Sequence, residues 1–252
     1  MKKLFLVNDD GVFAPGLAAL KESVMGRGEI KVIAPHQERS GMSQAITVNE
    51  PLRLTKVEGG YMLNGTPADC VKMGLLGLGF KPDCLLSGIN LGANLGWDVL
   101  YSGTVAAALE GVLQGVPSLA FSLCGSAEFF PTASTVVRTL LFEEPGFLVN
   151  CDLIPRDGVL NINIPALPFD EIKGMRITRL GVRNYTGVMQ RREDPRGNDY
   201  FWMGGEPVPL DSDELDVDMV AVDQGYISIT PLKFDTTFHE IIPDLQRKII
   251  KE

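Results

Sequence analysis

The chain has 252 residues, 45% apolar and 22% charged, the balance of a globular protein with room for one large domain or two small ones. Its net charge of −9 and pI near 4.8 argue against binding nucleic-acid polymers, which needs a basic face, but leave open a small anionic substrate, since a metal and a few N–H groups reverse a local field. No apolar run approaches the ~20 residues of a membrane span, and Leu4–Val7 is too short for a signal-peptide core, so a cytoplasmic protein with no membrane partner is expected.

In chain order, Lys3–Val7 reads as a strand and Pro15–Met25 as a helix, with Pro15 in its first turn where the missing N–H costs little. Ile30–Ala34 is a second strand. Thr47–Val57 and Tyr61–Asn64 flank Glu58-Gly59-Gly60, a hairpin signal. Strands at Asp83–Ser87 and Ser118–Leu123 alternate with helices from Pro67 to about Leu78 and from Thr104 to about Gln114. This alternation predicts a Rossmann-like α/β core over about residues 1–125, a parallel sheet with helices on both faces. The remainder, about 126–252, reads differently. Val159–Ile164 is a strand ended by Pro165. Met175–Val182 and Asp199–Met203 look like strands of a hairpin arm, about 175–205, around the polar loop Gln190–Asn198 with its turn sequence Asp194-Pro195-Arg196-Gly197. Tyr226–Thr230 alternates as a strand, and Pro243–Ile250 reads as a short C-terminal helix. With no repeat, low-complexity tract or linker, the simplest account is one domain over 1–252 with appended β-hairpins.

Cys70, Cys84, Cys124 and Cys151 show no CxxC spacing and are expected to be reduced and buried. With only His36 and His239, zinc sites and histidine acid–base chemistry have few candidates. The chemistry concentrates elsewhere. The first strand ends in Asn8-Asp9-Asp10-Gly11, and in open α/β sheets ligands sit beyond the carboxyl ends of the strands. Two adjacent carboxylates there resist joint ionisation unless something positive holds them; Mg²⁺ or Mn²⁺, which prefer oxygen ligands, are the natural partners. The plainer alternative is a surface turn in which Asp9 caps the next helix and Asp10 is solvated.

Three more polar segments join the first. Glu38-Arg39-Ser40-Gly41-Met42-Ser43 follows the second strand. Ser87-Gly88-Ile89-Asn90-Leu91-Gly92-Ala93-Asn94-Leu95-Gly96 follows Leu85-Leu86. Ser102-Gly103-Thr104 opens an alanine-rich helix with a hydroxyl cap and free N–H groups, a ready anion site. Each has a plainer reading, as a turn, a loop or a helix cap; their coincidence on one sheet edge favours function. A metal beside an anion site is the layout of phosphoryl transfer to water. Thr66-Pro67-Ala68-Asp69 reads as structural capping.

Rival templates fail. The chain has no GxxxxGK[ST] loop, no GxGxxG after the first strand and no GxSxG elbow. A receiver module would need an aspartate where Ser87-Gly88 stands. A haloacid-dehalogenase-like phosphatase would need a second Asp two residues after the first, where Gly11 or Val12 stands.

Taken together, Val7-Asn8-Asp9-Asp10-Gly11, Ala14-Pro15-Gly16, Arg39-Ser40-Gly41, Gly65 to Cys70, Ser87-Gly88-Ile89-Asn90 and Tyr101 to Ala108 resemble the SurE family, the stationary-phase survival proteins. The resemblance continues through Asp194 to Asn198, Asp223 to Tyr226 and Ser228 to Leu232, nearly the whole chain; Ser126–Asn150 and the C-terminal tail match no motif. It implies a SurE-like fold, an oligomer, and a divalent-metal-dependent 5′/3′-nucleotidase acting on nucleoside monophosphates. It also implies one metal ion per subunit on Asp9, Asp10, Ser40 and Asn90, with Asn8, Gly41, Asn94, Ser102, Gly103 and Thr104 facing the phosphate. Asp9 and Asp10 are the catalytic candidates, one of them taking the proton from a metal-bound water. A non-catalytic nucleotide or phosphate sensor, and a receiver-like module phosphorylated on Asp9 or Asp10, are the alternatives. Tyr200, Phe201 and Trp202 put aromatic groups on both faces of the arm. A lone hairpin is marginal in water, so the arm is expected to pack on a partner in a homodimer or homotetramer rather than fold back on its own core.

Overall fold

The computed structural model describes residues 2–143, 153–187, 189–208 and 212–249. Strand β1 (Lys2–Val7) sends alternate side chains to opposite faces of the sheet: Leu4 and Leu6 join one apolar cluster, Phe5 and Val7 the other. After it come α1 (Pro15–Ser23), β2 (Gly28–Pro35), the hairpin β3 (Leu54–Val57) and β4 (Gly60–Leu63), and α2 (Pro67–Lys72). The capping role expected of Thr66 and Asp69 is present: Thr66 Oγ1 accepts from Asp69 N–H, and Asp69 Oδ2 accepts from Thr66 N–H. The expected helix to Leu78 is α-helical only to Lys72 and continues as a π turn, Met73–Gly77, where Gly74 lies against the Phe5 ring.

Next are β5 (Cys84–Leu91), α3 (Gly103–Leu113), β6 (Ser118–Cys124), α4 (Phe130–Phe142) and β7 (Gly158–Pro165). Helix α4 occupies the stretch that matched no motif. In the C-terminal part lie β8 (Met175–Ile177), β9 (Tyr185–Thr186), β10 (Met189–Glu193), β11 (Asp199–Met203), β12 (Glu206–Pro207), α5 (Asp218–Asp223), β13 (Ile227–Lys233) and α6 (Ile242–Ile249). Cys151, and Ile250 at the end of the expected terminal helix, lie outside the described residues; Cys70 and Cys84 are buried as expected, whereas Cys124 is only half-buried.

The main sheet has nine strands in the order β3-β4-β2-β1-β5-β6-β7-β13-β8. The run β4-β2-β1-β5-β6-β7 is parallel; β3 and β13 pair antiparallel to it. α1 and α4 cover one face, α2 and α3 the other. The expected α/β fold is therefore present, and its strand order reverses between β1 and β5, the switch point where open α/β sheets bind ligands. Among the described residues no helix is long and apolar enough to cross a membrane.

The arm differs from expectation. Met175–Ile177 does not pair with Asp199–Met203; it extends the main sheet, parallel to β13. The hairpin is β10 with β11, pairing Gln190 with Trp202 and Arg192 with Tyr200. Its first strand reads as a polar loop in the sequence because Gln190-Arg191-Arg192-Glu193 shows no apolar alternation. Both faces of this strand are exposed, so pairing rests on the backbone ladder and on the bidentate Arg191–Asp199 ion pair (2.7 Å for both contacts).

Candidate active site

Four segments meet at the carboxyl edge of β1, β2 and β5, tied together by hydrogen bonds between distant parts of the chain. Arg39 N–H donates to Asp9 O (2.7 Å), joining the loop after β2 to the loop after β1. Leu91 N–H approaches Asp10 Oδ2 (3.4 Å), bringing in the end of β5. Ser43 N–H donates to Tyr101 O (3.0 Å) and its hydroxyl to Leu100 O (2.7 Å), tying the β2 loop to the entry of α3. The Thr104 hydroxyl donates to Asp9 Oδ1 (2.5 Å), joining α3 to β1 directly.

Asp9 is buried at 4% exposure and Asp10 is half-buried. Burial raises the Asp9 carboxyl above its ordinary range against the opposing Thr104 and backbone hydrogen bonds. Burial first, then the neighbouring Asp9 charge, pushes Asp10 up to about 6. Among the described residues neither carboxylate forms an ion pair.

Gly103 is required by close approach. A Cβ there would stand 2.8 Å from Asp9 Cβ and 2.9 Å from Oδ2. Where α1 packs on β5, Gly16 lies so near Ile89 O that a Cβ would meet it at 1.9 Å.

The other expected residues fall as follows. Asn8 donates its amide to Gly11 O (2.9 Å), and its Oδ1 is buried without a partner. Ser40 donates to Glu38 Oε1 (2.9 Å), which leaves its oxygen lone pairs able to ligate. Asn90 donates its amide nitrogen to Gly92 O (2.8 Å), leaving Oδ1 to accept or ligate. Gly41, at φ +71°, has nothing near its Cβ direction. Ser102 Oγ accepts from Val105 N–H (3.1 Å) as the N-cap of α3. The Thr104 side chain is committed to Asp9, so the helix start serves the carboxylate as well as the expected phosphate.

Asn94 is the most elaborately held. The Asn163 side chain grips both its backbone groups, accepting from Asn94 N–H (2.9 Å) and donating to Asn94 O (3.0 Å). Asn161 donates to the same carbonyl (2.8 Å), and Asn94 Nδ2 donates to Ser122 Oγ (2.8 Å). Asp218, from α5, accepts from Gly96 N–H (2.7 Å) and Gly181 N–H (2.9 Å), fixing the end of the same loop. Sequence reasoning assigned no role to Glu38, Arg39, Asn161, Asn163 or Asp218. The one available signal was Asn161 and Asn163 at alternate positions of an otherwise apolar strand.

Among the described residues, the buried side-chain polar atoms without a partner are Asn8 Oδ1, Arg39 Nε, Ser87 Oγ and Asn161 Oδ1. Asn8, Arg39 and Ser87 belong to these segments, and Asn161 grips Asn94. Orphaned buried polar atoms are rare in folded proteins, and these four lie in or beside the segments that meet here. The donor set suits a hard cation: carboxylate, hydroxyl and amide oxygens. Among the described residues no three His, Cys, Asp or Glu side chains cluster for a metal, so a cation here would draw on Ser and Asn as well.

Comparison with known proteins agrees with the residues. The family model described as "Survival protein SurE" matches residues 4–187. A Carboxydothermus hydrogenoformans protein named 5′-nucleotidase SurE is 44% identical over 260 residues, covering 97% of this chain and 95% of that one. The protein of the same name from Moorella thermoacetica is 48% identical over 242 residues, 93% and 91%. Among solved structures, the SurE protein of Aquifex aeolicus superposes with a TM-score of 0.85 at 40% identity, covering 97% of this chain and 98% of its own. On the matched family model, the relatives and the shared fold together, the chain belongs to the SurE family.

Proposed function

We propose that the protein is a divalent-metal-dependent phosphomonoesterase, a 5′-nucleotidase that hydrolyses nucleoside 5′-monophosphates, and 3′-monophosphates as well, to nucleoside and phosphate. The observation that carries this reading is the Asp9–Asp10 pair at the β1/β5 switch point, adjacent carboxylates with no ion pair among the described residues, beside the start of α3. The names of the full-length relatives support the same chemistry.

Asp9, Asp10, Ser40 and Asn90 would hold one Mg²⁺ or Mn²⁺ per subunit. When bound, the ion polarises phosphoryl oxygens and makes water a better nucleophile. The chain's own groups do the rest. Thr104 and Gly103 fix Asp9 in place. Asp10, the more open carboxylate, is better placed than Asp9 to accept the proton of the attacking water. Asn8, Gly41, Asn94 and the Ser102–Thr104 helix start face the phosphate, the positive end of α3 meeting the charge that develops there.

Phosphate release from AMP and from p-nitrophenyl phosphate, with Mg²⁺, Mn²⁺ or chelator, tests the reading. Turnover that disappears with chelator and returns with metal is expected, and Asp10→Asn should lose activity and metal affinity together. AMP binding without turnover under either metal would favour the sensor reading instead.

Assembly belongs to the same reading. The arm exposes Phe201 at 58%, Trp202 at 59% and Met203 at 74%, and α6 leaves Leu245 and Ile249 exposed. A second copy covering these surfaces gives the homodimer, or the homotetramer, that the arm calls for. The acidic charge leaves no role for nucleic-acid polymers, and the cytoplasm is the compartment we assign.

A further inference from the structure

The segment Gly65–Asp69 does more than start α2. Asp69 is buried at 2% exposure, and among the described residues it forms no ion pair. One of its hydrogen bonds caps the helix; the others leave it. Oδ1 and Oδ2 accept from Thr47 N–H (3.0 and 3.2 Å), and Oδ2 accepts from the Thr47 hydroxyl at 2.6 Å. A short hydroxyl bond to a carboxylate is charge-assisted, about twice as strong as a neutral one. Thr66 joins in, donating its hydroxyl to Ala45 O (2.7 Å). Gly65 is required by the same carboxylate, since a Cβ there would stand 2.7 Å from Asp69 Oδ2.

Ala45 and Thr47 belong to the loop that carries Ser40. Residues 36–53, between β2 and β3, contain no helix or strand. Loops this long are uncommon in compact domains unless they serve a function. With no ladder of its own, this one is placed by its ties to the rest of the chain. Arg39 N–H ties its first part to Asp9 O, and Ser43 ties its middle to Leu100 and Tyr101. Among the described residues Ser43 alone of the non-glycines has a positive φ, +52°, a conformation that persists only where the surroundings hold it. The turn after Gly41 closes through Ala45 N–H on Met42 O (3.2 Å), so the ties at Ala45 and Thr47 bear directly on the turn that follows Ser40.

We infer that Asp69 is a positioning residue for Ser40. It closes the far end of the loop as Asp9 O closes the near end, and the two ties together keep the Ser40 hydroxyl at the carboxyl edge of β1. The inference rests on the metal reading of Ser40 and names what keeps that ligand in place.

Replacing Asp69 would also break the α2 cap, so Thr47 carries the test. Thr47→Val keeps the shape and the N–H but removes the hydroxyl, and Thr47→Ser retains it. The first readout is hydrogen exchange over residues 39–47 in the metal-free protein, expected to be faster in Thr47→Val and near wild type in Thr47→Ser. The second is calorimetric Mn²⁺ binding without substrate. It is expected to weaken about tenfold in Thr47→Val, the lower end of the loss when a supporting partner of a metal ligand is removed, and to recover in Thr47→Ser. A carboxylate that served only as a helix cap would move neither readout, because Thr66 N–H still reaches Asp69 in both variants. The inference is overturned if exchange is unchanged in Thr47→Val, if faster exchange leaves Mn²⁺ binding at wild-type strength, or if Thr47→Ser binds Mn²⁺ as weakly as Thr47→Val. A wild type that binds no Mn²⁺ while its loop exchange responds as expected would sink the metal reading of Ser40 and leave the tether standing.

Discussion

Gly103→Ala adds one methyl group at the first position of α3, and its consequence follows from the contacts. The new Cβ would lie 2.8 Å from Asp9 Cβ, 2.9 Å from Oδ2 and 3.2 Å from Cγ. Comfortable carbon–carbon separation is about 3.5–4.0 Å, so Asp9 must retreat by roughly 0.7 Å or more. Asp9 is 4% exposed and held by Thr104, which leaves little room for a cheap retreat. Overpacking of this kind costs about 1–3 kcal/mol, while replacing a helical glycine by alanine returns up to ~1 kcal/mol. The net cost is about 0–3 kcal/mol, which at about 2–4 °C per kcal/mol for chains of this length lowers the melting temperature by at most about 12 °C. Activity is far more sensitive, because a 1 Å misplacement in an active site can cost about 100-fold. We therefore expect kcat/KM for p-nitrophenyl phosphate to fall by about 100-fold, with weaker apparent metal affinity in a Mg²⁺ or Mn²⁺ titration and a melting temperature no more than about 12 °C below wild type. Gly111→Ala is the control. It sits on the same helix and its Cβ would meet Ser118 Oγ at 2.3 Å, so it overpacks the core away from the carboxylates. Wild-type activity in Gly103→Ala, or equal loss in Gly111→Ala, would refute the reasoning.

Thr104→Ala removes the hydroxyl that donates to Asp9; hydrogen bonds to charged groups contribute about 1.5–3 kcal/mol, so metal-dependent turnover should drop roughly 10–100-fold and Thr104→Ser should restore most of it. If metal affinity is unchanged and inhibition by inorganic phosphate weakens instead, the hydroxyl serves the phosphate rather than Asp9. Asp218→Ala leaves the Gly96 and Gly181 N–H groups buried without their acceptor, at about 1–3 kcal/mol each, and calorimetry should show a clear fall in melting temperature; an unchanged melt would show that the loop does not depend on α5. Light scattering at micromolar concentration should give a dimer or tetramer mass, reduced by Trp202→Asp on the arm, and a clean monomer mass in the wild type would remove the assembly claim without touching the active site.

Much of the core was legible because its signals are local. β1, β5 and β6 are apolar runs closed by turn residues, Pro15 and Thr66 mark helix starts, and Asp9 with Asp10 is a pair of neighbours at a strand end. The exposed arm was misread for a physical reason: β10 buries neither face, so no alternation of apolar and polar residues announces it, and β8 is too short to reveal which strand it will join. The support around the site was not legible either. Thr104 reaches Asp9 across 95 residues, Asn163 grips Asn94 across 69, and Asp218 holds Gly96 across 122. Chemical type and chain-local order are properties of the residues themselves, so the sequence alone determined the α/β class, the paired carboxylates and the family resemblance. Which N–H meets which oxygen, where a glycine is obligatory because a carboxylate lies against it, and whether a capping aspartate also holds a distant loop depend on how distant strands and helices pack, and only the tertiary structure decided them.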